Sequence, residues 1–168
     1  MKKYLILLIV TIVGTLSSSA QSQVSAKYQG EVELGYSFGV GTLATDRINL
    51  HSINGVKVGD YFSAGIGLGL DYYRELYDKG ELLLPIYVNA KGYVPVNNKV
   101  APFLSVNLGY GIGLTEGLKS CDGMLWAIAL GVKIQKFKVQ LGYTSQRISE
   151  HGIGIDMNAV QLGIGIVF

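Results

Sequence analysis

Proline is scarce in this chain of 168 residues, at 3, and charged residues make up only 15% of it. Few prolines leave long stretches of backbone free to donate every N–H to a hydrogen-bond ladder. Low charge beside 49% apolar residues excludes a disordered chain. The single cysteine, Cys121, excludes an internal disulfide and a cysteine zinc site. It reads as an incidental residue of the turn-like stretch 116–123. There are 2 histidines and no constellation of metal ligands, so neither a metal nor a cofactor is expected. Basic residues are scattered, with no patch that tracks a phosphate backbone, so nucleic acid is not an expected partner. Beyond residue 26 no apolar run approaches the roughly 18 residues that a spanning helix needs.

The start of the chain has the form of a targeting segment. Lys2 and Lys3 precede an apolar run from Tyr4 to Val13, which is of signal-peptide size and too short to span. Ser18 and Ala20 supply small residues at −3 and −1, so cleavage is expected after Ala20. Residues 1–20 are thus read as a signal peptide, 21–27 as a short N-terminal segment and 28–168 as one domain. Removing Lys2 and Lys3 from 14 basic residues leaves 12 against 12 acidic ones, so the exported part is near neutrality.

What the chain does have is alternation. Tyr28, Val32, Leu34, Tyr36, Phe38 and Val40 take one parity, and Gln29, Glu31, Glu33, Gly35 and Ser37 the other. This period of two is that of a strand with one apolar face. The pattern returns over 48–58, 62–73, 84–94, 103–114, 124–135, 137–144 and 160–168. It predicts about eight strands of roughly 11–15 residues, longer than globular strands and long enough for a tilted bilayer crossing. Short turns are expected after the second, fourth and sixth strands, and longer loops after the others, the arrangement of outer-membrane barrels. Pro85 falls inside the fourth run and predicts a bulge or an early strand end there.

The less apolar face is mostly Gly, Ser and Asn. Facing water, such a face would specify long strands poorly; facing the lumen of a narrow barrel, its small residues are what the space demands. The apolar face therefore points to lipid, and the fold class is an all-β, eight-stranded, antiparallel up-and-down transmembrane barrel. Outer-membrane lipids are then its first partner. Tyr28, Phe62, Phe137 and Phe168 fall at the short-turn ends of their strands, and Phe38, Tyr72 and Trp126 towards the opposite ends. Two aromatic girdles are expected from them, where rings sit between headgroups and acyl chains.

The signal peptide, the stretches Val58-Gly59-Asp60-Tyr61-Phe62-Ser63-Ala64-Gly65-Ile66-Gly67-Leu68-Gly69, Leu84-Pro85-Ile86-Tyr87-Val88 and Ala101-Pro102-Phe103-Leu104, and the terminal Phe168 carry a family resemblance. The chain resembles the small outer-membrane β-barrel proteins of bacteria, such as the eight-stranded X-type and A-type barrels. It is similar in particular to the outer membrane protein beta-barrel domain group abundant in Bacteroidota. The resemblance implies a bacterial outer-membrane location, and implies that Phe168 belongs to the signal read by the barrel-assembly machinery. It covers nearly all of the chain after the signal peptide, and it leaves function open because such barrels host diverse roles.

Candidate functional residues lie on the lumenal parity. Glu31, Glu33, Lys57, Lys91 and Lys133 are expected to form a lumen polar network, with Lys138 also pointing inward. Charges in so narrow a space need partners. The residues fit a plug of Glu–Lys pairs or a gate that passes small ions. His51 is followed by Ser52, and His151 is preceded by Glu150, so a Ser–His–acid site of a lipid-modifying barrel is conceivable, although the pairs lie on different elements. The run Gly65-Ile66-Gly67-Leu68-Gly69 alternates inside a strand and opens no helix, which rejects phosphate binding there. The loops Thr42–Arg47, Glu75–Glu81, Thr115–Gly123 and Ile148–Asp156 are short and polar, sized to touch a ligand, a surface or a protein. The leading expectation is a structural, adhesion or surface-interaction role without catalysis. A narrow pore is the alternative, and a lipid-modifying enzyme the remote one.

Overall fold

The computed structural model describes residues 25–41, 44–76, 79–115, 122–150 and 153–168; the expected signal peptide, Cys121 and His151 lie outside them. Eight strands make one closed barrel: β1 (Ala26–Val40), β2 (Arg47–Val58), β3 (Phe62–Leu76), β4 (Lys79–Tyr93), β5 (Val100–Gly113), β6 (Asp122–Ile134), β7 (Phe137–Glu150) and β8 (Ile153–Val167). Every strand pairs antiparallel with its neighbours in sequence, and β1 pairs with β8 from Glu31↔Val167 to Val40↔Asn158. Beyond that ladder, Gly30 and Phe168 exchange backbone hydrogen bonds of 2.7 and 2.8 Å. The ring of Phe168 lies over Gly30, so the last residue of the ladder also covers its seam.

The alternation seen in the sequence sorts into an outside and an inside. Leu130 is 67% exposed and Ile66 62%, while Glu31 and Lys91 are 2% and 1% exposed. This is the reverse of a soluble protein, and it follows if the solvent of the outer face is hydrocarbon. Tyr28, Phe62, Phe137 and Phe168 stand exposed at the rim where β1 begins and β8 ends, and Phe38, Tyr72 and Trp126 stand exposed towards the opposite rim. Ser52 and Asn54 interrupt the apolar face of β2; the Tyr28 hydroxyl donates to Asn54 Oδ1 at 2.6 Å, and Asn54 Nδ2 lies 3.3 Å from Ser52 Oγ.

Three expectations are corrected. The fourth and eighth strands begin at Lys79 and Ile153, earlier than the alternation indicated, and the seventh runs on to Glu150. Past the aromatic girdle no lipid demands an apolar outer face, so the ladder continues in water without the period that announces it. The connections of β3 to β4 and of β7 to β8 shrink accordingly to residues 77–78 and 151–152, while 41–46 and 114–121 remain long. On the other rim, the β4–β5 connection, 94–99, is longer than a tight turn. Finally, no bulge forms at Pro85. It lies within β4 opposite Gly111, and the pairing with β3 keeps one register from Leu68↔Ile86 to Asp71↔Leu83. The missing N–H is absorbed without a slip, and the register shift falls instead between Tyr73 and Leu76.

The long β1–β2 connection is folded back onto its strand. Gly39 N–H donates to Asp46 Oδ1 at 3.0 Å, the Tyr36 hydroxyl to Asp46 Oδ2 at 2.8 Å, and Arg74 N–H to the Asp46 carbonyl at 3.1 Å. Any Cβ on residue 39 would strike the backbone of Ala44 and Thr45, so glycine is required for this approach. The Gly39 amide, and then the Tyr36 hydroxyl, hold the Asp46 carboxyl below its ordinary value of 3.8. A group depressed on folding stabilises the fold above its unfolded pKa and loses that contribution as the pH falls through the folded one. Amide exchange at Gly39 is therefore expected to lose protection only below about pH 4, once Asp46 protonates; Asp46→Ala is expected to lower its protection factor at neutral pH as well. A charge at the centre of the belt tests the inverted surface directly. Leu68→Arg is expected to destabilise the barrel by about 2–4 kcal/mol, read by denaturant unfolding in vesicles.

Candidate functional site

Three layers of polar and aromatic side chains, followed by an apolar cluster, fill the lumen. The lowest is ionic. From β4, Lys91 Nζ reaches across the barrel to Glu31 Oε2 on β1 at 2.6 Å. From β7, Lys138 Nζ bridges Glu31 Oε2 at 2.5 Å and Glu33 Oε2 at 2.8 Å. All four are buried, two of each sign, so the layer is neutral. Amides complete it: Gln140 Nε2 donates to Glu33 Oε1 at 2.8 Å, and Gln29 Nε2 to Glu31 Oε1 at 2.9 Å. Hydrogen bonds on the remaining carboxylate lone pairs are what makes burial of such pairs tolerable.

The second layer holds a chain of hydrogen bonds. Ser37 Oγ donates to Asn49 Oδ1 at 2.6 Å, and Asn49 Nδ2 to Asp71 Oδ1 at 2.6 Å. His51 Nε2 lies 2.8 Å from the same carboxylate oxygen, and the Tyr87 hydroxyl 3.2 Å from His51 Nδ1. The glycine alternation of β3 explains how these rings fit. Side chains on residues 67 and 69 would collide with the rings of Tyr87 and His51. Between the first two layers, Ile53, Tyr87 and Leu125 form an apolar cluster.

Arg47 makes the third layer, donating to the Tyr73 hydroxyl at 2.7 Å and to Thr144 Oγ1 at 3.1 Å, with its cation over the Tyr73 ring. Its Nε, and Oε1 of Gln140 and Gln146, have no partner among the described residues. Above it Tyr73, Leu83, Ile148 and Met157 pack into an apolar lid. This cluster lies on the side of the long loops.

Of the residues expected in a lumen network, Glu31, Glu33 and Lys91 meet in the ionic layer. Lys57 and Lys133 do not; they stand at the rim of the chain ends, Lys57 paired with Asp60 at 3.1 Å. Lys138, inward by parity, is the bridge of the layer. Asp71, Asn49, Tyr87 and Arg47 were visible in the sequence only as lumenal-parity residues; which of them touch depends on a register between strands that no local pattern carries. The imagined pairing of His51 with Ser52 fails on the same parity. His51 points into the lumen and Ser52 to lipid, so no hydroxyl from Ser52 can be activated by that imidazole. The pair of Glu150 and His151 falls outside the described residues.

Comparison with solved structures returns small membrane barrels. Neisserial surface protein A matches with a TM-score of 0.65 at 13% identity, over 85% of this chain and 97% of that one. The outer membrane enzyme PagL matches with a TM-score of 0.62 at 11% identity, over 81% and 98%. The N-terminal barrel domain of Pseudomonas aeruginosa OprF matches with a TM-score of 0.50 at 14% identity, over 86% and 100%. The fold is that of the bacterial outer-membrane barrels. No family model and no curated protein matches the sequence. One fold therefore carries a surface protein and an enzyme, and only the site can separate such roles.

The ionic layer makes a sharp prediction about stability. Glu31→Gln leaves two buried lysines facing one glutamate, and is expected to cost about 3–5 kcal/mol in denaturant unfolding, followed through Trp126 fluorescence. Adding Lys91→Met restores the charge balance, and the double variant is expected to be more stable than Glu31→Gln alone.

Proposed function

We propose that this chain is an electrically closed, non-catalytic barrel of the outer membrane, acting at its outer loop rim in adhesion, envelope structure or another surface interaction. The observation that carries this reading is the neutral ionic layer across the lumen, with Lys91 and Lys138 tied to Glu31 and Glu33 and an apolar lid above. Ions have no continuous wet path past such a layer, because every charge in it is spent on another. The separation of His51 from Ser52 supports the absence of an acyl-transfer site. The likeness to a protein named for the bacterial surface is consistent with a surface role.

In this reading the long-loop rim faces outward and the rim of the chain ends faces the periplasm. The girdles of Tyr28, Phe62, Phe137 and Phe168, and of Phe38, Tyr72 and Trp126, seat the protein among outer-membrane lipids. Phe168 serves the barrel-assembly machinery, and the outer loops meet a surface ligand or protein. The narrower affinity with the Bacteroidota group rests on the residues that carry the sequence resemblance alone.

The reading is tested by conductance. Refolded protein, verified by a heat-modifiable gel shift, is expected to be silent in a planar bilayer. Reproducible conductance steps that change in Glu33→Gln or Lys91→Gln would replace this reading with that of a pore. Hydrolysis of purified lipid that disappears in His51→Ala or His151→Ala would replace it with that of an enzyme.

A further inference from the structure

The lumen has an open mouth. At the rim of the chain ends it widens into a vestibule of about 540 Å³, within the range of small-molecule sites. Three lysines, Lys57, Lys99 and Lys133, line it against one aspartate, Asp60. Lys57 and Lys133 point inward and are half-buried. The carboxylate of Asp60, which pairs with Lys57, is 79% exposed, so water screens most of what it offers. Lys133 makes no hydrogen bond or ion pair among the described residues. The Glu–Lys layer above is neutral as a whole, its two carboxylates paired with Lys91 and Lys138.

The wall of the vestibule is also held in place. The β4–β5 connection is closed by the Asn97 side chain, whose Oδ1 accepts from the N–H groups of Lys99 and Val100, both at 2.8 Å. It is pinned to the next turn by a bond of 2.7 Å from Gln135 N–H to the Lys99 carbonyl. Gln135 makes that bond from a left-handed backbone, φ 57°, which a non-glycine residue adopts at a cost. Two recessed like charges are held facing a cavity by an ordered and locally strained wall, with the exposed Asp60 carboxylate on Lys57 as their one paired counter-charge among the described residues.

We propose that this vestibule is a binding site for a phosphoryl oxyanion, held between Lys57 and Lys133 with Lys99 at its edge. The net of two positive charges matches a phosphate dianion, and tetrahedral oxygens can take donors from separate ammonium groups. The volume leaves room for the organic part of a phosphorylated solute or of a lipid headgroup. The site is independent of any role of the outer loops.

The test uses the refolded chain in phosphatidylcholine nanodiscs, titrated with inorganic phosphate at fixed ionic strength. The amide signals of Lys57, Lys99 and Gln135 are followed by NMR. Saturable shifts are expected, weakened about tenfold in Lys133→Gln, the loss of one charge-assisted contact, and absent in Lys57→Gln/Lys133→Gln. The heat-modifiable gel shift confirms that both variants are folded. Once saturation by phosphate is established, a second preparation containing phosphatidylglycerol and no inorganic phosphate names the source. The same shifts there indicate a headgroup, and unchanged signals indicate a soluble ligand. Shifts that do not saturate, that chloride reproduces, or that persist in the double variant overturn the proposal.

Discussion

Backbone amides cannot be left unpaired in hydrocarbon, where each would cost several kcal/mol. A sheet in a bilayer must therefore have no edge, and the pairing of β1 with β8 is the contact on which everything else in this molecule depends. Closure with eight strands dictates a narrow lumen. The narrow lumen dictates that glycine, serine and alanine alternate with a few large side chains inside. The lipid dictates the apolar parity outside. The absence of prolines from all but a few positions is the sequence correlate of the same requirement, and Pro85 is tolerated because its register is held on both sides.

Closure also brings together residues that are distant along the chain. Glu31 and Lys138 are separated by 107 positions and share a hydrogen bond in the ionic layer. Charge inside such a barrel survives by mutual neutralisation, and Glu31, Glu33, Lys91 and Lys138 are bound to one another rather than presented to a permeating ion. The apolar cluster of Tyr73, Leu83, Ile148 and Met157 fills one end, and Lys57, Lys99 and Lys133 gather at the other. The molecule is polar along its axis for that reason: apolar beneath the long loops, open and cationic at the rim of the chain ends.

Neisserial surface protein A and PagL share this architecture at identities too low to carry a role from either. The direction of His51 is a feature of this chain's own lumen. An imidazole aimed into the lumen at Asp71 and Tyr87 contributes to packing and hydrogen bonding of the core.

Much of the fold is legible in the sequence because lipid writes it there. A bilayer imposes one polarity on every second residue for as long as the strand remains inside it, so the existence of the eight strands and their faces follow from parity alone. Where the strands leave the bilayer the pattern ends, and the extensions of β3 and β4 and of β7 and β8 could be seen only in the ladder. Parity likewise assigned Glu31, Glu33, Lys57, Lys91 and Lys133 to the inside. It could not say that Lys91 crosses to Glu31 while Lys57 and Lys133 stay at the mouth, or that His51 meets Asp71 and turns its back on Ser52. Those facts depend on strand register and on closure, which set the height and the opposite wall for each side chain. A local pattern determines which way a residue points, and only the assembled barrel determines what it points at.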